Sequence, residues 1–178
     1  MATSVAVFGS SEPPPGDPLY EIARRTGDLL ARAGYVVVNG GYSGVMEAAS
    51  RGAREAGGEV VGVTTKDFGR GPGNRFLTRE IAAENLYDRT RTLMEISSAY
   101  IILPGKAGTL AEVAFLWALH RAGLLGRKPI VLLGPFWGGF VEELLRRNLL
   151  EAPQATDTLR ADTPEEAVEL IRTQVSPR

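Results

Sequence analysis

The sequence predicts a single α/β domain, residues 1–178, on a doubly wound parallel sheet, and three observations carry that prediction. Short β-branched runs are continuously apolar, not alternating, which is the pattern of strands covered on both faces. Longer stretches with helical periodicity separate them, as crossovers between parallel strands require. Three of the strands run directly into glycine-rich turns. A chain of 178 residues, 44% hydrophobic and 23% charged, can bury one core of its own.

The first strand is Ser4–Phe8. Asp17-Pro18 then offers a helix cap followed by proline at the first helical position; Leu19, Ile22, Ala23, Leu29, Leu30 and Ala33 form an apolar stripe, and Gly34 ends it. Tyr35–Val38 is the second strand, followed by a helix from about Gly44 to Ala56 that stops at Gly57-Gly58. Glu59–Val63 is the third strand. A helix over roughly Ala83–Ser97, a strand Ala99–Leu103, a helix Thr109–Ala122, a strand Pro129–Leu133 and a helix Phe136–Leu149 complete the alternation. The last helix opens at Thr163-Pro164-Glu165-Glu166, a capping box with an early proline. Ser11–Gly16, with three consecutive prolines, and the glycine-rich Lys66–Asn74 read as loops after strand ends, where such folds bind ligands.

Composition narrows the function. A formal net charge of -1 gives no general attraction to nucleic acid or an anionic membrane, so an anion must be held locally. There is no cysteine and a single histidine, His120, which removes thiol chemistry and leaves little for a metal site or a serine triad. No apolar run is long enough to span a bilayer, and Met1 leads into the first strand with no basic leader, so a cytoplasmic location is expected, with no metal and no cofactor.

The three turns are Phe8-Gly9-Ser10-Ser11, Asn39-Gly40-Gly41-Tyr42-Ser43-Gly44 and Pro104-Gly105-Lys106-Ala107-Gly108-Thr109. A parallel sheet places all three on one edge, where the amides of the following helices point outward. Glycine permits close backbone approach, and helix amino ends carry partial positive charge, so the edge is built to hold an anion such as phosphate. Neither the G-x-G-x-x-G fingerprint nor the Walker A pattern is present, which argues against a classical NAD domain and a P-loop NTPase.

Two charged residues can reach the same crevice, because both of their helices start at that edge. Arg89 offers a fork of donors, and Glu112 can orient water, accept a proton or stabilise a developing oxocarbenium ion. Each has a plainer alternative. Thr109-Leu110-Ala111-Glu112 is itself a T-x-x-E capping box, Asp88-Arg89-Thr90-Arg91 can be a solvated helix face, and Arg79 and Glu80 can be surface charges.

Two of these segments carry a resemblance. Asn39–Glu47 (N-G-G-Y-S-G-V-M-E) resembles the G-G-G-x-x-G-L-M-G segment of the Lonely guy (LOG) family, and Pro104–Glu112 (P-G-K-A-G-T-L-A-E) resembles its P-G-G-x-G-T-x-x-E signature. The Gly9-Ser10 turn and the Glu80-Ile81 pair fit as well, and the resemblance spans roughly Val5 to Leu133. That family is Rossmann-like and usually dimeric, and many of its members carry a lysine decarboxylase label. Its characterised members are phosphoribohydrolases that split cytokinin nucleoside 5′-monophosphates or AMP into base and ribose 5-phosphate. The resemblance implies Arg89 and Glu112 as the catalytic pair and Gly105, Gly108 and Thr109 as the phosphate cradle. Gly40, Gly41 and Gly44 would form its floor, with Glu80 holding substrate. Gly9, Ser10 and Lys106 complete the expected binding set.

The chain departs from the family at Asn39, Glu47, Thr90 and Lys106, and Lys106 either adds a phosphate contact or occludes the crevice. A carrier that binds without turnover, like the related molybdenum-cofactor carriers, is therefore the alternative to an N-glycosidase. Pyridoxal-phosphate chemistry has only Lys66, Lys106 and Lys128 to draw on, none placed as an activated amine. The expected partner is a nucleoside monophosphate or related phosphorylated small molecule. The helix carrying Val113 to Leu119 is apolar almost all round, which predicts a homodimer that buries it and its neighbour.

Overall fold

A computed structural model of the chain describes residues 3–69, 71–126 and 128–177. In chain order the elements are β1 (Ser4–Phe8), α1 (Pro18–Arg32), β2 (Val36–Asn39), α2 (Val45–Glu55), β3 (Val60–Thr65), β4 (Arg79–Ala83), α3 (Leu86–Ile96), β5 (Ala99–Ile102), α4 (Ala107–Arg121), β6 (Ile130–Leu133), α5 (Phe136–Arg146), α6 (Ala152–Asp157), β7 (Thr158–Ala161) and α7 (Pro164–Gln174). A short 3-10 turn, Lys66–Phe68, follows β3.

The described strands form one seven-stranded sheet in the order β4-β3-β2-β1-β5-β6-β7, and every pairing is parallel. This is a Rossmann-like α/β fold. Alternate residues of the central strands feed two cores: in β1, Val5 and Val7 pack with α1, α2 and α7, whereas Ala6 and Phe8 pack with α3, α4 and α5. Both faces being covered is why the strands read as unbroken apolar runs. On the first face, α1 and α2 cross at contact distance through two glycines. A methyl on Gly27 would fall 2.0 Å from the Ala49 carbonyl oxygen, and one on Gly52 would fall 1.8 Å from that of Arg24.

Several expected boundaries move. Residues 79–83 are a strand, with Val61–Thr65 paired to Arg79–Ala83, so the third helix starts at Leu86 and not at Ala83. Asn85 caps that start, its side chain accepting from the Asp88 amide at 2.9 Å. The fourth helix begins at Ala107, two residues ahead of the expected start, which puts Thr109 inside the helix and overturns the T-x-x-E capping box. The fifth helix ends at Arg146 instead of Leu149, because Asn148 takes a left-handed turn at φ 57°. The predicted caps at Asp17 and Thr163 are present, with amide-to-side-chain distances of 2.8 and 3.2 Å.

Chain direction across the sheet reverses at β1: β2 and β3 extend one way, β5 and β6 the other. The carboxyl ends of β1 and β5 therefore part at a topological switch point, the place where open α/β sheets hold ligands. The Ser10 amide bridges the two ends by donating to the Pro104 carbonyl at 3.1 Å.

Candidate active site

The three glycine turns meet at this edge but do different work. In and just after the Asn39–Gly44 turn, two amides are committed within the protein. The Gly41 N–H donates to Asn39 Oδ1 at 2.8 Å, and the Val45 N–H donates to the Ser10 carbonyl at 2.8 Å. Asn39 Nδ2 in turn donates to the Met46 carbonyl and to Ser50 Oγ, so the residue that departs from the family's first glycine braces the turn from within. Gly44 sits so close to β1's loop that a methyl there would fall 2.4 Å from the Ser10 carbonyl oxygen. Gly9 is packed against Val45 in the same way, at 2.8 Å. These glycines weld the β1 and β2 turns together.

The amino end of α4 remains available. Its first intrahelical bond runs from the Leu110 amide to the Lys106 carbonyl, so the amides of Ala107, Gly108 and Thr109 precede it. Lys106, the capping residue, makes no side-chain bond to that turn, and a methyl on Gly108 would meet only open space. Gly105 is constrained from behind: its missing methyl would fall 2.1 Å from Thr109 Oγ1 and 3.0 Å from the Ser10 amide. Ser10, its amide and carbonyl committed and its Oγ accepting from the Glu12 amide at 3.2 Å, keeps a hydroxyl hydrogen to donate.

Arg89 is not on a solvated face. It is only 6% exposed, and its Nε and Nη2 donate to the carbonyls of Val63 at 2.8 Å and Gly40 at 3.1 Å. Its guanidinium lies 5.8 Å from the Tyr42 ring and 5.5 Å from the Phe68 ring. Tyr42 is fixed by a reciprocal pair with the Thr65 backbone at 2.7 and 2.9 Å. The Gly40 carbonyl and the aromatic pair thus hold the cation beneath the β2 turn.

Glu112 lies on the second turn of α4, is half-buried, and is close enough to Arg89 to feel its charge. Desolvation of its carboxyl raises its pKa to about 7, against the opposing pull of the Arg89 guanidinium. A carboxyl at that value exchanges its proton near neutral pH, as a general acid or base should.

Glu80 lies further out on the edge strand β4. Its Oε1 accepts from Thr64 Oγ1 at 2.7 Å and from the Gly73 amide at 3.1 Å, which ties the glycine-rich 71–74 segment back to the sheet. The Asn74 amide and side chain also reach back to the Gly41 carbonyl, at 2.7 and 3.2 Å. Sequence reasoning passed over Tyr42, Phe68 and Glu12. An aromatic beside a glycine turn was the signal for Tyr42, whereas nothing local marks the other two. No cluster of metal-ligating side chains occurs among the described residues, and no described helix is long and apolar enough to cross a membrane.

A cavity of about 940 Å³ opens at the opposite edge, lined by Ser4, Glu59, Thr78 and Arg79 at the amino ends of strands and by Glu95 near the end of α3. None of the Arg89, Glu112 and glycine-turn residues lines it. The glycine-turn edge, with an open helix amino end and a buried arginine, is the stronger candidate.

Fold and edge together define a Rossmann-like α/β protein whose switch-point edge brings a buried arginine near a glutamate of raised pKa. The chain belongs to the SLOG cluster4 family, of the LOG group, whose model matches residues 2–168. It is 31% identical to the cytokinin riboside 5′-monophosphate phosphoribohydrolase of Mycobacterium tuberculosis, over 90% of this chain and 94% of that one. Identity to the Mycobacterium marinum protein of the same name is 34%, again over 90% and 94%. Among solved structures, the molybdenum cofactor binding protein of Rippkaea orientalis superposes with a TM-score of 0.76 at 27% identity, covering 97% of each chain.

Proposed function

We propose that the protein is a nucleoside 5′-monophosphate phosphoribohydrolase, with AMP or a cytokinin-type nucleotide as substrate. The observation that carries this reading is the meeting of Arg89 and Glu112 beside the open amino end of α4. In this reading the amides of Ala107, Gly108 and Thr109 hold the 5′-phosphate, and Gly9, Ser10, Gly40, Gly41, Gly44 and Gly105 shape the cradle. Glu80 steadies the sugar side of the crevice. The C1′–N bond breaks with its electron pair passing to the base, which takes a proton from solvent, and the proton that Glu112 later removes from water returns to solvent. The ionised Glu112 faces the oxocarbenium ion and draws a proton from the attacking water, giving ribose 5-phosphate. The buried Arg89 keeps Glu112 ionised for longer than burial alone would, and adds positive charge beside the phosphate. No cofactor is required.

Incubation with AMP and related monophosphates, followed by chromatography, should yield free base and ribose 5-phosphate. Glu112→Ala should lower turnover by at least about 100-fold while leaving the fold intact. Absence of base release across the nucleotide panel overturns the reading.

A non-catalytic carrier is the second reading, favoured by the full-length match to the molybdenum cofactor binding protein. It expects saturable nucleotide binding with no product. A Schiff-base decarboxylase has little support: Lys128 lies at the amino end of β6 with its ammonium on the Met94 carbonyl, and Lys106 pairs with Glu12.

A further inference from the structure

We propose that Lys106 and Glu12 form an exchange latch: the Glu12 carboxylate occupies the Lys106 ammonium until a phosphate monoester displaces it. Lys106 would then be the residue that selects the phosphorylated form of the ligand. The inference rests on the phosphate-binding reading above and deepens it.

Lys106 is in an unfavourable place for a lysine. It caps α4 with extended backbone, φ -96° and ψ -157°, and has no acceptor in its side chain with which to satisfy the first-turn amides. Its cation also adds to the positive end of the helix macrodipole, where an anion is preferred. A residue that breaks two local rules at once, beside unclaimed amides, marks a position kept for something other than helix stability.

Glu12 supplies the missing anion. Its Oε1 is 2.7 Å from Lys106 Nζ, across 94 positions of sequence, joining the loops that flank the switch point. The loop presenting it is built, not loose. The Glu12 amide donates to Ser10 Oγ, the Ser11 carbonyl accepts from Ser43 Oγ at 2.8 Å, Pro13 is buried, and the Asp17 amide closes on the Pro14 carbonyl at 3.1 Å.

The pair is nevertheless exchangeable. Lys106 and Glu12 are 74% and 62% exposed, so solvent and salt screen their attraction. A phosphate dianion brings twice the charge of a carboxylate and can accept from the α4 amides simultaneously. Lys106 thus neither blocks the crevice nor binds unconditionally; it is lent to Glu12 and released to a competing dianion.

Calorimetric titration of the full chain tests the latch, with inorganic phosphate as the ligand and, in a Glu112→Ala background that does not turn the nucleotide over, with AMP against adenosine. Glu12→Gln should tighten phosphate and AMP binding by about three- to tenfold, because the internal competitor is gone. Lys106→Gly should weaken both by about tenfold and leave adenosine affinity unchanged, and the double variant should match Lys106→Gly. Unchanged or weaker phosphate binding in Glu12→Gln overturns the latch, as does a lack of phosphate binding in wild type and Glu12→Gln alike. Base release is scored separately: a latch that works in a protein with no turnover removes the hydrolase and keeps the phosphate site.

Discussion

A methyl group on Gly40 would fall 1.7 Å from Nη2 of Arg89 and 2.7 Å from the sulfur of Met46. Gly40 does not adopt positive φ, so its requirement is for space and not for a special backbone conformation. Gly40→Ala must therefore push the guanidinium off its carbonyl seat. The expected cost is about 1–3 kcal/mol in stability, with a larger loss, about 100-fold, in kcat/KM. Chemical denaturation beside steady-state kinetics separates the two; equal activity in the variant would remove Arg89 from the mechanism. Glu112 gives a pH-dependent counterpart. Its folded pKa, about 7, lies above the ordinary carboxylate value of 4.5, so the unfolded chain releases this proton first as pH rises. Glu112 therefore costs nothing below about pH 4, destabilises increasingly as pH climbs between the two values, and reaches its full cost above pH 7. Glu112→Gln should raise unfolding free energy by on the order of 1–3 kcal/mol at pH 8 and leave it unchanged at pH 4. In the wild type, kcat/KM should rise with pH through about 7, since the ionised form does the work. A gain in stability independent of pH would contradict a carboxyl whose pKa is raised by desolvation.

At the scale of elements, what could be read in advance followed from how local the signal is. The five central strands and the helices around them announce themselves through apolar runs and periodicity, and Asp17 and Thr163 through capping chemistry. β4 does not. Arg79-Glu80-Ile81-Ala82-Ala83 is largely exposed, with Ala83 alone fully buried, because it is an edge strand with one free side. Its identity comes from pairing with β3, a contact no local window contains. The same holds for β7, short and half-buried at the other edge, and for the six-residue α6 ahead of it. The start of α4 misled for a different reason: Thr109-Leu110-Ala111-Glu112 has the composition of a cap, but the turn through Gly105 begins the helix earlier, at Ala107. That shift matters chemically. Glu112 then lies on the second turn of the helix, near enough to Arg89 for the guanidinium to oppose the rise in its pKa. Arg89 was legible as a candidate but not as a buried group, since the carbonyls that hold it come from Gly40 and Val63, distant in sequence.

For the whole molecule, α4 poses the remaining problem. Thr109, Val113, Leu116 and Trp117 face the core, and Trp117 Nε1 donates to Thr158 Oγ1 at 3.0 Å, which accounts for one side. On the other side Ala111, Ala114, Phe115 and Ala118 are exposed, Phe115 at 41%. Leu124, just past the helix, is 74% exposed. Two shallow grooves flank this face, one of about 200 Å³ beside Phe115, Leu119 and Leu124, the other of about 280 Å³ beside Ala114, Ala118 and Leu149. Gln154 lines the second, and its buried Oε1 has no hydrogen-bond partner. Small residues along a helix let a second helix approach closely, and flanking grooves accept its larger side chains. We therefore propose a homodimer through α4 and the neighbouring α3. Light scattering at micromolar concentration should give twice the mass of 19.1 kDa. Phe115→Glu, which changes an exposed side chain and no core contact, should shift the protein to monomer. Because α4 also carries Glu112 and the amides proposed to hold the phosphate, the monomer should lose activity along with its partner. A wild-type protein that stays monomeric at these concentrations would leave the apolar face without the occupant assigned to it.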